Sequence, residues 1–134
     1  MTEASKTELI LSCIVPGQPK PKERPRVERG RGRTPQSTLD AEEYIRQVVA
    51  LEWRGREPYE GEMALTCWFY GANGNCDGDN LLKLVSDALQ GQRGAPFVYK
   101  NDSKIKDWHG HVRKKDAEGP RTVILLTALP TETP

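Results

Sequence analysis

The chain has 134 residues, of which 36% are hydrophobic, and a formal net charge of +1. We expect one domain over residues 1–134, because this length can bury a core and the hydrophobic fraction is too high for a disordered protein. The start carries no signal-peptide pattern and no later run is long enough to span a membrane, so we expect a cytoplasmic protein without a membrane partner.

The first predicted element is a strand over Glu8 to Val15, which ends at Pro16 and Gly17. Both alternating sets of its residues are largely apolar, which predicts a central position in its sheet. The three cysteines contain no C-x-x-C pair and indicate neither a disulfide framework nor a zinc knuckle. Cys13 and Cys67 fall in predicted strands and are expected in the core, whereas Cys76 is expected to be an incidental loop thiol.

A basic segment follows at about residues 17–36, without apolar periodicity. Between Pro16 and Thr34, seven basic residues against two acids make a net charge of +5, so by subtraction from +1 the rest of the chain carries −4. The segment is predicted to be a mobile loop that contacts DNA phosphates, the alternative being a merely solvated loop. The predicted DNA-binding residues are Lys20, Lys22, Arg24, Arg26, Arg29, Arg31 and Arg33.

Two helices and three further strands are predicted in the remainder. The first helix is expected from Ser37 or Thr38, either of which could cap it, to Trp53 or Arg54, with acids in its first turns at Asp40, Glu42 and Glu43. The second helix begins around Asp79 and stops at Gly91, and the strands cover Met63 to Tyr70, Ile105 to Val112 and Thr122 to Ala128. The order β-α-β-α-β-β predicts an α/β (α+β) fold, a small mixed four-stranded sheet with two main helices packed on it.

Acidic residues gather around the second helix. Asp77 and Asp79 lie where a strand meets the helix, and Lys83 and Asp87 follow at successive turns. Asp102, just before another strand, would join them if those strand ends are neighbours. Two unit charges about 4 Å apart interact by about 4 kcal/mol at an effective dielectric of about 20, so clustered carboxylates favour a bound dication. Ligands that are all oxygens suit Mg²⁺ or Mn²⁺ better than zinc.

The residues alone leave two interpretations open. In the first, the ion activates water and stabilises charge on a phosphodiester oxygen, while Lys83 reaches a phosphate oxygen or the leaving group. In the second, Asp79 is a helix N-cap, and Asp79, Lys83 and Asp87 form a solvated salt-bridge ladder. His109 and His111 share a strand face without a third nitrogen or sulfur ligand at a supporting spacing, which predicts ordinary strand histidines.

Three motifs follow one another at defined spacing: Asp77-x-Asp79-Asn80-Leu81-x-Lys83, Asp87-Ala88-Leu89 and Asn101-Asp102-Ser103-x-Ile105. Together with the chain length and element order, they resemble the RusA family of Holliday-junction resolvases (crossover junction endodeoxyribonucleases). The chain departs from that pattern in having Asn101-Asp102 where many members have two aspartates, and in a longer, more basic segment before the first helix.

The resemblance implies a homodimeric, magnesium-dependent endodeoxyribonuclease that resolves four-way DNA junctions by paired symmetric nicks, leaving 5′-phosphate and 3′-hydroxyl ends. It implies that Asp77, Asp79 and Asp102 bind Mg²⁺, for which Mn²⁺ could substitute, and that these acids and Lys83 are catalytic, with no small-molecule cofactor. Asp87 matches a family acid, and both a catalytic and a structural role stay open. The alternatives are a nuclease of flaps or other branched DNA, and a non-catalytic DNA-binding protein.

Overall fold

The computed structural model describes residues 8–21, 26–28, 31–33, 35–72, 77–92 and 95–130. The main strands and helices in these ranges are β1 Leu9–Pro16, α1 Gln36–Trp53, β4 Met63–Tyr70, α2 Gly78–Gln90, β7 Ile105–Arg113 and β8 Arg121–Ala128. Two short antiparallel ribbons add β2 Arg26–Glu28 with β3 Arg31–Arg33, and β5 Gly91–Gln92 with β6 Ala95–Pro96. The main elements confirm the predicted β-α-β-α-β-β order.

The four long strands form one mixed sheet in the order β1-β8-β4-β7. Strand β8 is antiparallel to β1 and β4, whereas β4 and β7 are parallel and are connected through α2. Parallel neighbours need such a crossover connection, and a helix commonly supplies it. The predicted mixed four-stranded sheet with two main helices is therefore confirmed.

The core lies between the helices and one face of the sheet. Alternate residues of β8 and β4 are buried, and Ile45, Val49 and Trp53 of α1 are buried with them. Helix α2 contributes its apolar stripe, and it packs against both α1 and β7. Each fully buried aliphatic side chain contributes about 1.5–3 kcal/mol, so this one cluster is the main source of stability. Cys13 and Cys67 are buried and free, as predicted, while Cys76 lies outside the described residues.

The predicted central position of β1 is wrong, because among the described strands β1 pairs only with β8 and lies at the edge of the sheet. The strand pairing is irregular between Leu9 and Leu11, so Ile10 is buried together with Leu11, whereas Leu9 is 56% and Ile14 is 58% exposed. Part of the two-sided apolar pattern therefore comes from this irregularity, and the rest from two side chains that are exposed in the described structure. None of the described helices is long and apolar enough to cross a membrane.

The N-cap of helix α1 lies two to three residues earlier than predicted and is neither Ser37 nor Thr38. The N-cap is Pro35, whose carbonyl accepts from the backbone N–H groups of Thr38 and Leu39 at 3.1 and 3.2 Å. The first turn contains no acid, so the predicted complement to the helix dipole is also wrong. The predicted end is confirmed, since Arg54 adopts a left-handed conformation with φ 55° directly after Trp53.

The basic segment was predicted to be a loop, but it contains the β2–β3 ribbon. In that ribbon Arg26 pairs with Arg33 and Glu28 with Arg31 along the backbone. Three-residue strands are too short to show a periodic apolar pattern, which is why the sequence did not indicate them. Lys22, Arg24 and Arg29 lie outside the described residues.

Candidate active site

Helix α2 begins with the acidic pair. Asp77 is the N-cap, and its Oδ1 accepts a hydrogen bond from the backbone N–H of Asp79 at 3.0 Å. The cap is therefore Asp77 and not Asp79, which lies in the first helical turn, where the positive end of the helix dipole stabilises a carboxylate. Both side chains are exposed to solvent.

Asp102 is placed by a short 3-10 turn, Asp102–Lys104, that directly precedes β7. Asn101 caps this turn, since its Oδ1 accepts from the backbone N–H of Ser103 at 2.8 Å. The backbone N–H of Asp102 donates to Gln90 Oε1 at 3.0 Å, which ties the turn to the last turn of α2. Asp102 is thus held beside the helix by both its side chain and its backbone.

Lys83 joins two acids. Its Nζ lies 3.0 Å from Asp102 Oδ2 and 3.5 Å from Asp87 Oδ1. The hydrogen bond to Asp102, with a smaller contribution from Asp87, raises the pKa of Lys83 above its ordinary value, so the ammonium is the stable form. The predicted pairing with Asp87 is confirmed, whereas Asp79 forms no ion pair with Lys83 in the described part of the chain.

Three residues on one side of α2 contact Asp102. Lys83 and Ser86 reach its carboxylate, with Ser86 Oγ 3.3 Å from Asp102 Oδ2, and Gln90 reaches its backbone. They are spaced three and four residues apart and therefore lie in one stripe of the helix surface. Sequence reasoning missed Ser86 and Gln90. The only available signal was that they share a helical face with Lys83.

The three predicted metal ligands do not form one cluster. Within the described residues, no group of three His, Cys, Asp or Glu side chains comes together as a cation site. The cause is the topology: Met63 pairs with Ile105 and Tyr70 with Arg113, so the end of β4 and the start of β7 lie at opposite ends of parallel strands. Asp77 follows the end of β4, whereas Asp102 precedes the start of β7. The expected meeting of these two strand ends therefore does not occur.

Helix α2 shortens this separation by running back along β7. It begins beside Val112, since a Cβ placed on Gly78 would lie 3.7 Å from Val112 Cγ2. Lys83, one turn after Asp79, then reaches Asp102 near the start of β7. A cavity of about 270 Å³ beside this stripe is lined by Asp79, Leu82, Lys83 and Trp108.

The histidines of β7 lie on the other face of the sheet. By the strand register, His109 pairs with Thr66 and His111 with Trp68, on the side away from the helices. The His111 ring stacks on the Trp68 ring with centroids 5.4 Å apart. Neither histidine therefore belongs to the stripe of acids and lysine, which we define as Asp79, Lys83 and Asp87 on α2.

A helix stripe that combines carboxylates with a protonated lysine, together with a strongly basic segment in the same chain, favours a protein that acts on a phosphodiester polyanion. The model of the family described as Endodeoxyribonuclease RusA matches residues 16–127, and the chain belongs to this family. No curated protein matches the chain. Proteins of the RusA family are endodeoxyribonucleases, hydrolases that act on Holliday junctions in recombination. The chain is therefore an enzyme that binds branched DNA, and the non-catalytic alternative is set aside.

Proposed function

We propose that the chain is a magnesium-dependent, structure-specific endodeoxyribonuclease that resolves Holliday junctions by paired symmetric nicks, leaving 5′-phosphate and 3′-hydroxyl ends. The observation that carries this proposal is the 3.0 Å contact between Lys83 Nζ and Asp102 Oδ2, made beside Asp79 in a chain of the RusA family. A protonated lysine held among acids neutralises the charge that develops when a phosphodiester is cleaved.

We propose Asp77, Asp79 and Asp102 as the metal ligands; because the three carboxylates do not form one group in the described structure, the assignment rests on their donor chemistry and on the family motif. Their donor chemistry fits Mg²⁺, with Mn²⁺ as a substitute, because all three offer oxygen only and Mg²⁺ usually keeps several waters while binding one or two carboxylates. The exposed side chains of Asp77 and Asp79 are open to a hydrated ion. When bound, such an ion activates water and stabilises charge on a phosphoryl oxygen.

The neighbours of Lys83 keep its ammonium charged and in place. Asp102 and Asp87 contact the ammonium from two elements, the 3-10 turn and α2. We therefore assign Asp87 the role of holding Lys83 rather than a direct catalytic role. Removal of either acid leaves one partner, which fixes the position of the ammonium less tightly.

We further propose that the basic segment follows the DNA backbone and that two copies of this one-domain chain act together. The segment carries the seven basic residues named above, of which Lys20 is exposed in the described structure. A homodimer would present two sites related by a two-fold axis to a junction that has the same symmetry, and paired symmetric nicks follow from that arrangement. Because DNA is the substrate, we place the enzyme in the cytoplasm.

The test is cleavage of a labelled synthetic four-way junction, a flap and a linear duplex of matched sequence, in Mg²⁺ and in EDTA. We expect symmetric nicks in the junction only, lost in EDTA and in Asp79→Asn. Asp107→Asn, which alters an exposed acid of β7 outside the stripe, is the control and retains activity. Equal cleavage of the flap would replace the resolvase by a broader branched-DNA nuclease, and activity of Asp79→Asn equal to that of the unaltered protein would remove the proposed site.

A further inference from the structure

The cavity beside the stripe of acids and lysine has an aromatic wall. Trp108 lines it together with Asp79, Leu82 and Lys83. The indole is 39% exposed, in contrast to Trp53, which is 3% exposed in the core. One cavity therefore combines a negative charge, a positive charge and an accessible aromatic ring.

The ring of Trp108 is held by its own strand. Its Nε1–H donates to the carbonyl of Ile105 at 3.1 Å. Since this is the sole polar group of an indole, the rest of its accessible surface is the apolar ring itself. A ligand that meets Trp108 must therefore do so by stacking or by apolar contact.

At the floor of the cavity, helix α2 and strand β7 pack closely against each other. Leu82 is 4% exposed, and a Cβ added to Gly110 would lie 2.9 Å from Leu82 Cδ1. The glycine thus permits a close approach that a larger residue would prevent. Leu82 and Trp108 line the same cavity as the charged groups of Asp79 and Lys83, so the exposed indole shares this space with both charges.

A single nucleotide matches this combination of groups. Its phosphate suits the ammonium of Lys83, and its base presents a planar surface to an indole. In linear duplex DNA each base is stacked on both sides, whereas a base at a branch point that has lost a stacking neighbour costs less to expose. The DNA that the family binds contains such positions, which makes a base at the branch point the occupant that fits best.

We propose that Trp108 is the stacking surface for a base exposed at the branch point, next to the phosphate that Lys83 contacts. The inference rests on the proposed function and names the part of the junction that this wall recognises. Alanine substitution at base-stacking aromatic positions typically lowers affinity by about 5- to 150-fold. Trp108 accordingly contributes to discrimination between junction and duplex and not to attraction of DNA in general.

The first test compares the affinity of the full chain for a fluorescent four-way junction and for a linear duplex, in EDTA so that neither is cleaved. Trp108→Ala is expected to weaken junction binding by about 10-fold and duplex binding by less than about 2-fold, with Trp108→Phe in between. Trp68→Ala is the matched control, because Trp68 stacks on His111 on the opposite face of the sheet, and it retains the affinity for both DNAs. Circular dichroism and thermal unfolding establish that each variant is folded.

A second readout follows the ring directly. Junction binding is expected to quench tryptophan emission in the unaltered protein and in Trp68→Phe, and this quenching is expected to be lost in Trp108→Phe. Equal losses of affinity for junction and duplex, or unchanged affinity together with unchanged quenching, overturn the assignment. Cleavage in Mg²⁺ is measured separately, so a protein that binds but never cuts refutes the proposed function while the binding comparison still decides the role of Trp108.

Discussion

Two buried hydroxyl groups connect the core to Asp102. Tyr99 and Ser86 have no exposed surface. Tyr99 Oη donates to the carbonyl of Ser86 at 2.8 Å and lies 3.2 Å from Ser86 Oγ, which in turn lies 3.3 Å from Asp102 Oδ2. Burial raises the pKa of Tyr99, so its hydroxyl keeps the proton that it donates. The position of Asp102 therefore depends on a polar chain that begins inside the hydrophobic core.

This chain predicts coupled effects on stability. Ser86→Ala and Tyr99→Phe should each lower the free energy of unfolding by about 1 kcal/mol, since each removes a buried hydrogen-bonding group. The double variant should lose less than the sum by about 0.5 kcal/mol or more, because the two residues share one interaction. Urea denaturation of the unaltered protein, the two single variants and the double variant measures these free energies of unfolding. Val49→Ala combined with Tyr99→Phe is the control: Val49 lies on α1, so the losses of unfolding free energy from these two substitutions should add. Full additivity of Ser86→Ala and Tyr99→Phe would show that the two hydroxyls act independently.

Lys83 makes stability depend on alkaline pH. Its folded pKa is raised above the ordinary value of 10.5, so the protonated form stabilises the fold. That contribution is fully present below the ordinary value and is lost as the pH rises through the raised pKa. Lys83→Met should therefore cost more unfolding free energy at pH 8 than at pH 11, by less than about 1 kcal/mol because the side chain is half exposed.

Urea denaturation at the two pH values checks this, with Lys106→Met, at an exposed position of β7, as the matched control. The control should show no comparable difference between pH 8 and pH 11. A constant cost of Lys83→Met at both pH values would mean that the ammonium gains nothing from Asp102 and Asp87.

At the level of elements, Asp77 has two roles that can be separated. It caps α2 through its contact with the backbone of Asp79, and we propose that it also binds the metal. Asparagine caps a helix about as well as aspartate but lacks the negative charge that a dication needs. Asp77→Asn should therefore keep the free energy of unfolding within about 0.5 kcal/mol, and Asp77→Ala should lower it by about 1 kcal/mol.

Both Asp77 variants should lose junction cleavage in Mg²⁺, measured in single-turnover reactions beside the unaltered protein. Together, the two variants distinguish the capping role of Asp77 from its proposed role as a metal ligand. Full cleavage by Asp77→Asn would leave Asp77 as a cap alone, and equal stability of Asp77→Ala and the unaltered protein would contradict the capping contact.

The sequence predicted those elements whose signal is local and missed those that depend on long-range packing. The stripe of α2 and its stop at Gly91 follow from residues within one helix, and β4 has the predicted bounds of Met63 and Tyr70. The start of α1 was missed because a proline carbonyl rather than a Ser or Thr side chain receives the first N–H groups. The edge position of β1 was missed since strand order is not encoded in the pattern of one strand.

The candidate site shows the same division. Asp79, Lys83 and Asp87 follow helical spacing, and the ion pair of Lys83 with Asp87 could be predicted from it. The stronger contact joins Lys83 to Asp102 across nineteen residues, and it depends on the 3-10 turn packing on α2. No local pattern reveals Trp108 as a neighbour of this site, because the packing of α2 on β7 brings it there, whereas Ser86 could be found only from the helical face that it shares with Lys83.

At the scale of the whole molecule, the excess positive charge and the proposed catalytic residues lie in different parts of the chain. The basic segment precedes α1, whereas the stripe of acids and lysine lies on α2. The segment carries a net charge of +5 against −4 for the rest of the chain. Such separation predicts that the segment supplies the salt-dependent attraction for DNA, while the stripe decides what is cut.

Removal of three arginines from the segment should therefore change the salt dependence of binding. Each phosphate contact contributes about −0.9 to the slope of log affinity against log salt on duplex arms, so Arg29→Gln, Arg31→Gln and Arg33→Gln together should reduce its magnitude by up to about 2.7. Fluorescence anisotropy with a labelled junction in EDTA, over a series of salt concentrations, measures the slope. Cleavage at saturating protein should persist, because the stripe on α2 is unchanged.

Arg54→Gln provides the control for this experiment. It removes a positive charge directly after the C-terminal end of α1, about 27 Å along the 18-residue helix from Gln36, where the basic segment joins it. This variant should keep the slope of the unaltered protein. If the triple variant also kept it, the segment would be a solvated loop that does not contact phosphate, and the attraction for DNA would have to come from the positive charges on the rest of the chain.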